Sequence, residues 1–307
     1  MKILLTSNKT YRNTPDAGYW YTYTPLQELG HEVFWYDTVN PEEKDYNKII
    51  ESFKPDLIFC CVTGDSNITP YEPWESIQRE TESGRTTTFN WFCDDTWRFK
   101  GFSSISCQHF HICSTPEPTY VSKYQESGYK NIILATWHAN SVYYNNCAWK
   151  DKSVPISFIG APNPHRQRFF NMTKDEVSVA NIFGVTQEQL FDVYCQSQIG
   201  LNLSFNANDP EFKTQMKQRV FEIVAGAGTL LTQDHDGLEQ FFVKDNKPNP
   251  EIVTFKTIEE FIAKAQFLLK HPSVVKKIAE RGHKRFLAEH DSKIRLKKTL
   301  EQIKTLS

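Results

Sequence analysis

The sequence predicts an α/β protein built from two doubly wound halves. Three observations carry this. Short apolar runs alternate with amphipathic helical segments along the whole chain. The alternation restarts with a fresh apolar run at Pro155. Helical segments are closed by glycine, at Gly30, Gly128 and Gly226, with a strand-like run following each. At 307 residues the chain has the length of roughly two domains of about 150 residues each.

In the first half, Lys2 to Thr6 is an apolar run suited to a central parallel strand. A polar loop covers Ser7 to Gly18, and Tyr19 to Leu29 reads as a helix stopped by Gly30. A strand follows at His31 to Tyr36, a helix at Asp45 to Phe53 and a strand at Pro55 to Val62. Tyr71 to Ser83 is helical, Thr86 to Phe92 and His109 to Ser114 are strands, Thr119 to Ser127 is a helix capped by Gly128, and Ile132 to Thr136 closes the series. In the second half, Pro155 to Gly160 is a strand ending in a turn, Gln187 to Ser197 a helix and Ile199 to Leu203 a strand. The segment 217–232 is a helix–turn–strand unit, Glu251 to Phe255 a strand, and Ile258 to Leu269, Pro272 to Arg285 and Ser292 to Thr305 are helices. The halves join near Asn145 to Val154, which gives expected domains 1–148 and 149–290 and a C-terminal helix 291–307. Ligands of such sheets bind beyond the carboxyl ends of the strands, so the expected site is a cleft between the halves.

Composition narrows the class. Hydrophobic content of 39% and charged content of 23% are ordinary for a soluble domain. A net charge of −2 gives no electrostatic case for a nucleic-acid partner. Seven cysteines without framework spacing favour a reducing, cytoplasmic setting. The start, Met1 to Thr6, turns polar too soon for a signal peptide. The longest apolar run, Leu57 to Val62, falls far short of the ~20 residues of a membrane span. All seven tryptophans (20, 35, 74, 91, 97, 137 and 149) lie in the first half, where aromatic faces could meet sugar rings, although core filling accounts for most of them.

The most informative stretch is 217–232. Lys217, Arg219 and Glu222 fall in the first turns of the helix that Gly226 stops, with Gly228 in the turn to Thr229–Thr232. Free N–H groups and the macrodipole make a helix start positive, and added cations favour a diphosphate. A carboxylate one turn on accepts hydrogen bonds from ribose or sugar hydroxyls. The segment reads as a nucleotide-sugar site, although helix starts of this composition also occur as solvated surface. No Gly-x-Gly-x-x-Gly follows the first strand, where Ser7-Asn8-Lys9-Thr10 stands instead, and no Gly-Lys-Ser/Thr loop occurs. Dinucleotide oxidoreductases and P-loop enzymes are thereby disfavoured.

The order of motifs in the second half carries a resemblance. Phe158-Ile-Gly160 followed by arginine, Gly200-Leu-Asn-Leu203, Lys217-x-Arg-x-Phe-Glu222 with Gly228-x-Leu-Leu-Thr232, and Ile278-Ala-x-x-Gly282 with His290 and Arg295 resemble the CgeB-like glycosyltransferases of the GT-B superfamily. The resemblance covers most of 155–300. The first half is similar in outline only, through Leu29-Gly-His-Glu-Val33 and Trp91-Phe-Cys-Asp-Asp95. It implies a glycosyltransferase whose second domain binds the nucleotide sugar and whose first domain supplies the acceptor site. It further implies that Glu222 contacts the ribose, that Arg166 or Arg168 neutralises the leaving diphosphate, and that the last helix crosses back to the first domain. A UDP-sugar donor is expected first and a GDP-sugar second, with no further cofactor and no metal. Many retaining relatives carry a second Glu eight positions before the first. Thr214 stands there in this chain, which leaves the stereochemical outcome open.

The remaining candidates follow from the chemistry. The departing diphosphate gains negative charge, so fixed cations and N–H dipoles are the main electrostatic contribution. Arg166, beyond the Gly160-Ala-Pro-Asn-Pro164 loop, Lys217 and Arg219 are the candidates, with His165 adjacent. The amides of Asp236-Gly237-Leu238-Glu239 are placed to cradle phosphate, with Glu239 near the nucleoside. Asp94 and Asp95, at an expected strand end, are read as an acceptor-side base or hydroxyl ligand. As strand neighbours they point to opposite faces and do not chelate a metal readily. His138 is read as facing the donor sugar, and Ser7, Asn8 and Lys9 as acceptor contacts. Cys107, His109, His111 and Cys113 alternate at period two, but a single strand cannot close a zinc tetrahedron alone. The basic last forty residues interleave with acids and read as a solvated face. The competing class is a non-catalytic nucleotide-sugar or glycan-binding module of the same fold.

Overall fold

The computed structural model describes residues 1–11, 14–145, 147–205 and 213–307. The expected loop Ser7 to Gly18 and the expected join Asn145 to Val154 each include residues outside this set. Two compact units are present: Met1–Thr136 together with Ser292–Ser307, and Trp137–Asp291.

The first unit is a six-stranded, all-parallel sheet. Its strands are β1 (Lys2–Ser7), β2 (Glu32–Asp37), β3 (Leu57–Cys60), β4 (Thr87–Trp91), β5 (Ile112–Thr115) and β6 (Ile132–Leu134), in the order β2-β1-β3-β4-β5-β6. The continuous burial of β1, β3 and β5 explains why they read as apolar runs rather than alternating ones. The last helix of the chain, Ser292–Leu306, covers one face, its Leu296, Leu300 and Ile303 packing with Ile3, Leu5 and Phe59. Tyr19 to Leu29 is not one regular helix: Tyr19–Tyr23 forms a π-helical turn and Thr24–Glu28 an α-helix whose early Pro25 has no N–H to give.

Two readings of this unit need correction. Cys107, His109, His111 and Cys113 do not share one strand. Cys107–His109 is a 3₁₀ turn and the strand begins only at Ile112. His111 Nδ1 lies 3.0 Å from Thr88 Oγ1. Likewise Asp94-Asp95 is not a strand end. β4 stops at Trp91, Asp94 is left-handed (φ 57°), and Asp95 opens a short helical turn.

The second unit is a five-stranded parallel sheet. Its strands are β7 (Val154–Ile159), β8 (Ala180–Ile182), β9 (Ser197–Asn202), β10 (Thr229–Gln233) and β11 (Val253–Phe255), in the order β8-β7-β9-β10-β11. Three helices position the site: α1 (Pro164–Thr173), α2 (Gln187–Gln196) and α3 (Gln218–Ala225). Helix α1 follows directly on the loop read at Gly160–Pro164 and takes up Arg166, in a stretch to which the sequence reading gave no element. Asn163 is its N-cap, accepting the Arg166 N–H, and Pro164 takes the first position, where a missing N–H costs nothing.

Gly200 lets α3 lie close on β9, since a Cβ there would come 2.5 Å from Ile223. Gly226 is required by contact rather than by backbone angle: its φ is −71°, but a Cβ would fall 2.8 Å from the Tyr194 backbone. The left-handed residue of this turn is Ala227 (φ 52°). Buried Lys152 joins two helix ends, donating to Cys195 O (2.8 Å) and Gly226 O (2.7 Å), and burial lowers its pKa to about 8. Cys147 and Cys195 form a disulfide with Cα atoms 4.3 Å apart, a pairing the odd count of seven gave no sign of. Among the described residues no helix is long and apolar enough to cross a membrane.

Candidate functional site

The carboxyl ends of β7 and β9 and the start of α3 meet in the second unit, and one side chain joins them. Arg219 Nε donates to Ile159 O at the end of β7 (2.7 Å). Its Nη1 donates to Asn202 Oδ1 at the end of β9 (2.9 Å). Asn202 in turn donates to Thr232 Oγ1 on β10 (2.9 Å), so three strand ends and the helix start form one network. The guanidinium lies over the Phe158 ring, 4.6 Å from its centroid. Gly160 is needed here, because a Cβ would lie 2.6 Å from Arg219 Nη2.

Arg166, from the first turn of α1, approaches the same ring at 5.3 Å. Its Nη1 donates to Ala161 O (2.6 Å), while its Nε is buried with no hydrogen-bond partner among the described residues. Burial first, and the Arg219 charge second, lower its pKa to about 10, so it stays charged at neutral pH. Among the described residues no carboxylate pairs with either guanidinium. Two adjacent cations held by carbonyls, an amide and one shared aromatic face leave a positive field that an anion would neutralise.

Glu222 is buried one turn further along α3. The hydroxyl of fully buried Tyr194 lies within electrostatic reach of it. Burial raises the tyrosine pKa above its ordinary value, with Arg219 opposing the rise and Glu222 adding to it. Lys217 is the N-cap of α3, with extended backbone, rather than a residue of its first turn. The first residue of the helix, Gln218, donates its side-chain amide to the backbone carbonyl of His138. His138 is therefore tied to this helix start through its carbonyl.

The loop after β10 brings a second cluster. Gly237 is left-handed (φ 86°) and turns the chain into a 3₁₀ turn, Leu238–Gln240, with Leu238 fully buried. The Gly237 and Glu239 N–H groups, expected to face a phosphate, favour the charged form of Glu239's own carboxylate. Partial burial opposes ionisation of that carboxyl, but those two N–H groups and Lys244, 3.0 Å away, hold its pKa below the ordinary value. Lys244 also pairs with Asp234 at 2.7 Å. His235, in the same loop, is buried. Its Nδ1 lies 3.2 Å from Asp236 O and its Nε2 has no partner among the described residues.

Other candidates fall in the first unit. Asp95, read as an acceptor-side group, is fully buried and accepts from Ser103 Oγ (2.6 Å) and Tyr124 OH (3.1 Å). Burial raises its pKa to about 6. It is a core anchor of the 95–106 segment, with no surface to offer a substrate. Ser7 is also buried and accepts the Trp35 indole N–H on Oγ (3.0 Å). Asn8 Nδ2 lies 3.4 Å from Thr10 O, and the Lys9 N–H donates to Asp37 Oδ1 (3.0 Å). Among the described residues no group of three or more His, Cys, Asp or Glu is placed to hold a metal.

Sequence reading assigns no role to Phe158, Asn202, Tyr194 or His235. Asn202 had a readable signal, a polar residue ending an apolar strand. The role of Phe158, shared by two arginines, is a tertiary fact with no local signature.

A family model described as glycosyl transferase-like matches residues 147–301, which contain this whole network. No curated protein matches the chain. Solved structures do. Sucrose-phosphate synthase from Thermosynechococcus elongatus superposes with a TM-score of 0.65 at 11% identity, covering 100% of both chains. Anabaena HepE in complex with UDP gives 0.61 at 9%, covering 99% of this chain and 100% of that one. The catalytic domain of starch synthase IV from Arabidopsis thaliana, bound to ADP and acarbose, gives 0.64 at 9%, covering 99% of each. At such low identity these likenesses show the fold, which is GT-B with two Rossmann-like parallel sheets.

Proposed function

The chain belongs to the glycosyl transferase-like family, and from that premise we propose that it moves a sugar from a nucleotide-sugar donor to an acceptor hydroxyl. The observation that carries the proposal is the Arg166–Arg219 pair on Phe158, charged and unmatched by any carboxylate among the described residues, one helical turn from buried Glu222. The guanidiniums receive the diphosphate and, with Lys217, offset the charge that grows as the leaving group departs. They supply the neutralisation for which a divalent ion would otherwise serve. Glu222 accepts the ribose hydroxyls. A phosphate reaching the Gly237 and Glu239 amides takes the place of the Glu239 carboxylate.

UDP in HepE and ADP in starch synthase IV support a nucleoside diphosphate as the donor's carrier, and the UDP complex supports placing a UDP-sugar first. The acceptor is a glycan or a small hydroxylated molecule. Within the family, the order of motifs from Phe158 to Arg295 supports a place among the CgeB-like members.

Calorimetry with UDP and uridine tests the phosphate assignment. Arg166→Ala and Lys217→Ala are expected to weaken UDP binding about tenfold or more, the size of one charge-assisted contact, and uridine binding less than about twofold. Equal losses for both ligands would remove these cations from the diphosphate site. If UDP-sugars bind but are neither hydrolysed nor transferred, the chain is a binding module rather than an enzyme.

A further inference from the structure

Cys147 and Cys195 are the only cysteines of the second unit among the described residues, and the disulfide between them spans 48 positions. The loop it closes holds β7, α1, β8 and α2, and with them Phe158, Gly160 and Arg166. One end of this tether lies in the last turn of α2. There Cys195 O accepts from Lys152, which also grips Gly226 O at the end of α3. The preceding residue, Tyr194, packs its backbone on Gly226, and its buried ring lies within electrostatic reach of Arg219 and Glu222. The sulfur bond therefore ends one residue from a side chain that borders the candidate diphosphate and ribose contacts. At the other end, Tyr143 and Tyr144 rest on Phe191 of α2, with ring centroids 5.3 Å and 5.0 Å apart. These contacts do not depend on the sulfur bond, so they keep Cys147 within reach of Cys195 when the bond is open.

The two sulfurs differ in access. Cys195 is buried, whereas Cys147 is half-buried and lines a cavity of about 330 Å³ with Trp149, Ala227, His283 and Lys284. A cavity of that size admits a small thiol. Its thiolate attacks Cys147 Sγ: a new S–S bond forms there, the bond between Cys147 and Cys195 breaks, and Cys195 leaves as a thiolate that takes up a proton. A second small thiol attacks the outer sulfur of the mixed disulfide and releases Cys147, which is protonated in turn. Two small thiols are thereby oxidised to one small disulfide while the protein gains two electrons and two protons as two thiols. The reverse reaction uses a small disulfide as oxidant. We propose that Cys147–Cys195 is a thiol-exchange site that sets the affinity of the neighbouring nucleotide site. Closed, the bond holds the end of α2 against the turn that follows α3, and nucleotide binds tightly. Open, Lys152 alone joins the two, and nucleotide binds weakly. The effect on nucleotide rests on the donor-site reading above; the exchange at the two sulfurs does not.

The full-length chain is equilibrated with oxidised and with reduced glutathione, the linked peptides are mapped by mass spectrometry, and UDP is titrated into each form. The expected result is a Cys147–Cys195 link in the oxidised form that the reduced form lacks, with the UDP dissociation constant about fivefold or more higher after reduction. Amide hydrogen exchange at the end of α2 and in the turn 226–228 is expected to quicken on reduction. Cys147→Ser and Cys195→Ala are each expected to bind UDP weakly in both buffers. No link in the oxidised form, or equal UDP affinity of the two linked states, overturns the proposal. So does a redox response that Cys147→Ser retains, which would assign it to cysteines of the first unit. If neither form binds UDP, the donor reading fails instead; faster exchange on reduction then keeps the thiol site standing, and unchanged exchange overturns it.

Discussion

Between Ser103 and Tyr124 the carboxyl of Asp95 is fully buried, which disfavours its charged form. Burial raises its pKa to about 6 from an ordinary 3.8, against the hydrogen bonds from Ser103, Thr115 and Tyr124. The native state therefore binds the proton more tightly than the unfolded chain. The cost of ionisation is absent below the unfolded value and complete above about pH 6, so folding loses stability as pH rises through that window. Urea denaturation of wild type and Asp95→Asn from about pH 3.5 to 7 checks this window. The wild type should lose stability relative to the variant as pH climbs, and a constant difference would contradict it. The same residue marks the limit of sequence reading at this scale. Asp-Asp after an apolar run looks like a strand-end acid pair, and only the packing of Tyr124 and Ser103 on it shows a core anchor. The places of Arg219 and Glu222 on α3 were legible because the helix start was legible. Arg166 was legible as a cation near Gly160, but its sharing of Phe158 was not.

At the scale of elements, α3 and the turn after it show what glycine and alanine each do. The sequence places helix, turn and strand correctly over 217–232, because an apolar helix face followed by Gly-Ala-Gly and a buried Thr-Leu-Leu-Thr has one ready reading. It does not show which residue of that turn is left-handed. Ala227 holds a φ of 52°, where its Cβ is crowded, while Gly226 is present because Tyr194 packs on it. Ala227→Gly should therefore raise stability by about 0.5 kcal/mol, the strain relieved less the entropy that glycine adds to the unfolded chain. Gly200→Ala, which drives a methyl into Ile223, should lower stability by about 1–3 kcal/mol. Thermal melts of the two variants check both signs, and two shifts in the same direction would refute one account or the other. Helix α1 is hidden in the sequence because Pro162 and Pro164 punctuate the chain as a loop does, although Asn163 and Pro164 are also an N-cap and first-position pair.

Over the whole molecule, the two parallel sheets carry different side-chain chemistry. The second unit gathers two guanidiniums that no carboxylate pairs with among the described residues, a buried glutamate and the loop of Gly237 to Glu239. The first gathers aromatic faces, carboxylates and an amide around a cavity. The strands of both sheets were readable from their apolar content and glycine-bounded spacing, except three-residue β8, exposed along much of its length and carrying no hydrophobic pattern. The helical turns of 95–106 were also unreadable, since their order comes from packing around Asp95 rather than from periodicity. The account stands on the diphosphate lying between Arg166 and Arg219. A crystal structure with UDP-glucose measures this directly. The expected result places phosphate oxygens within hydrogen-bond distance of both guanidiniums and ribose hydroxyls on Glu222. A well-ordered nucleotide bound elsewhere, with Arg166 Nε still unpartnered and Phe158 still flanked by two bare cations, would contradict it.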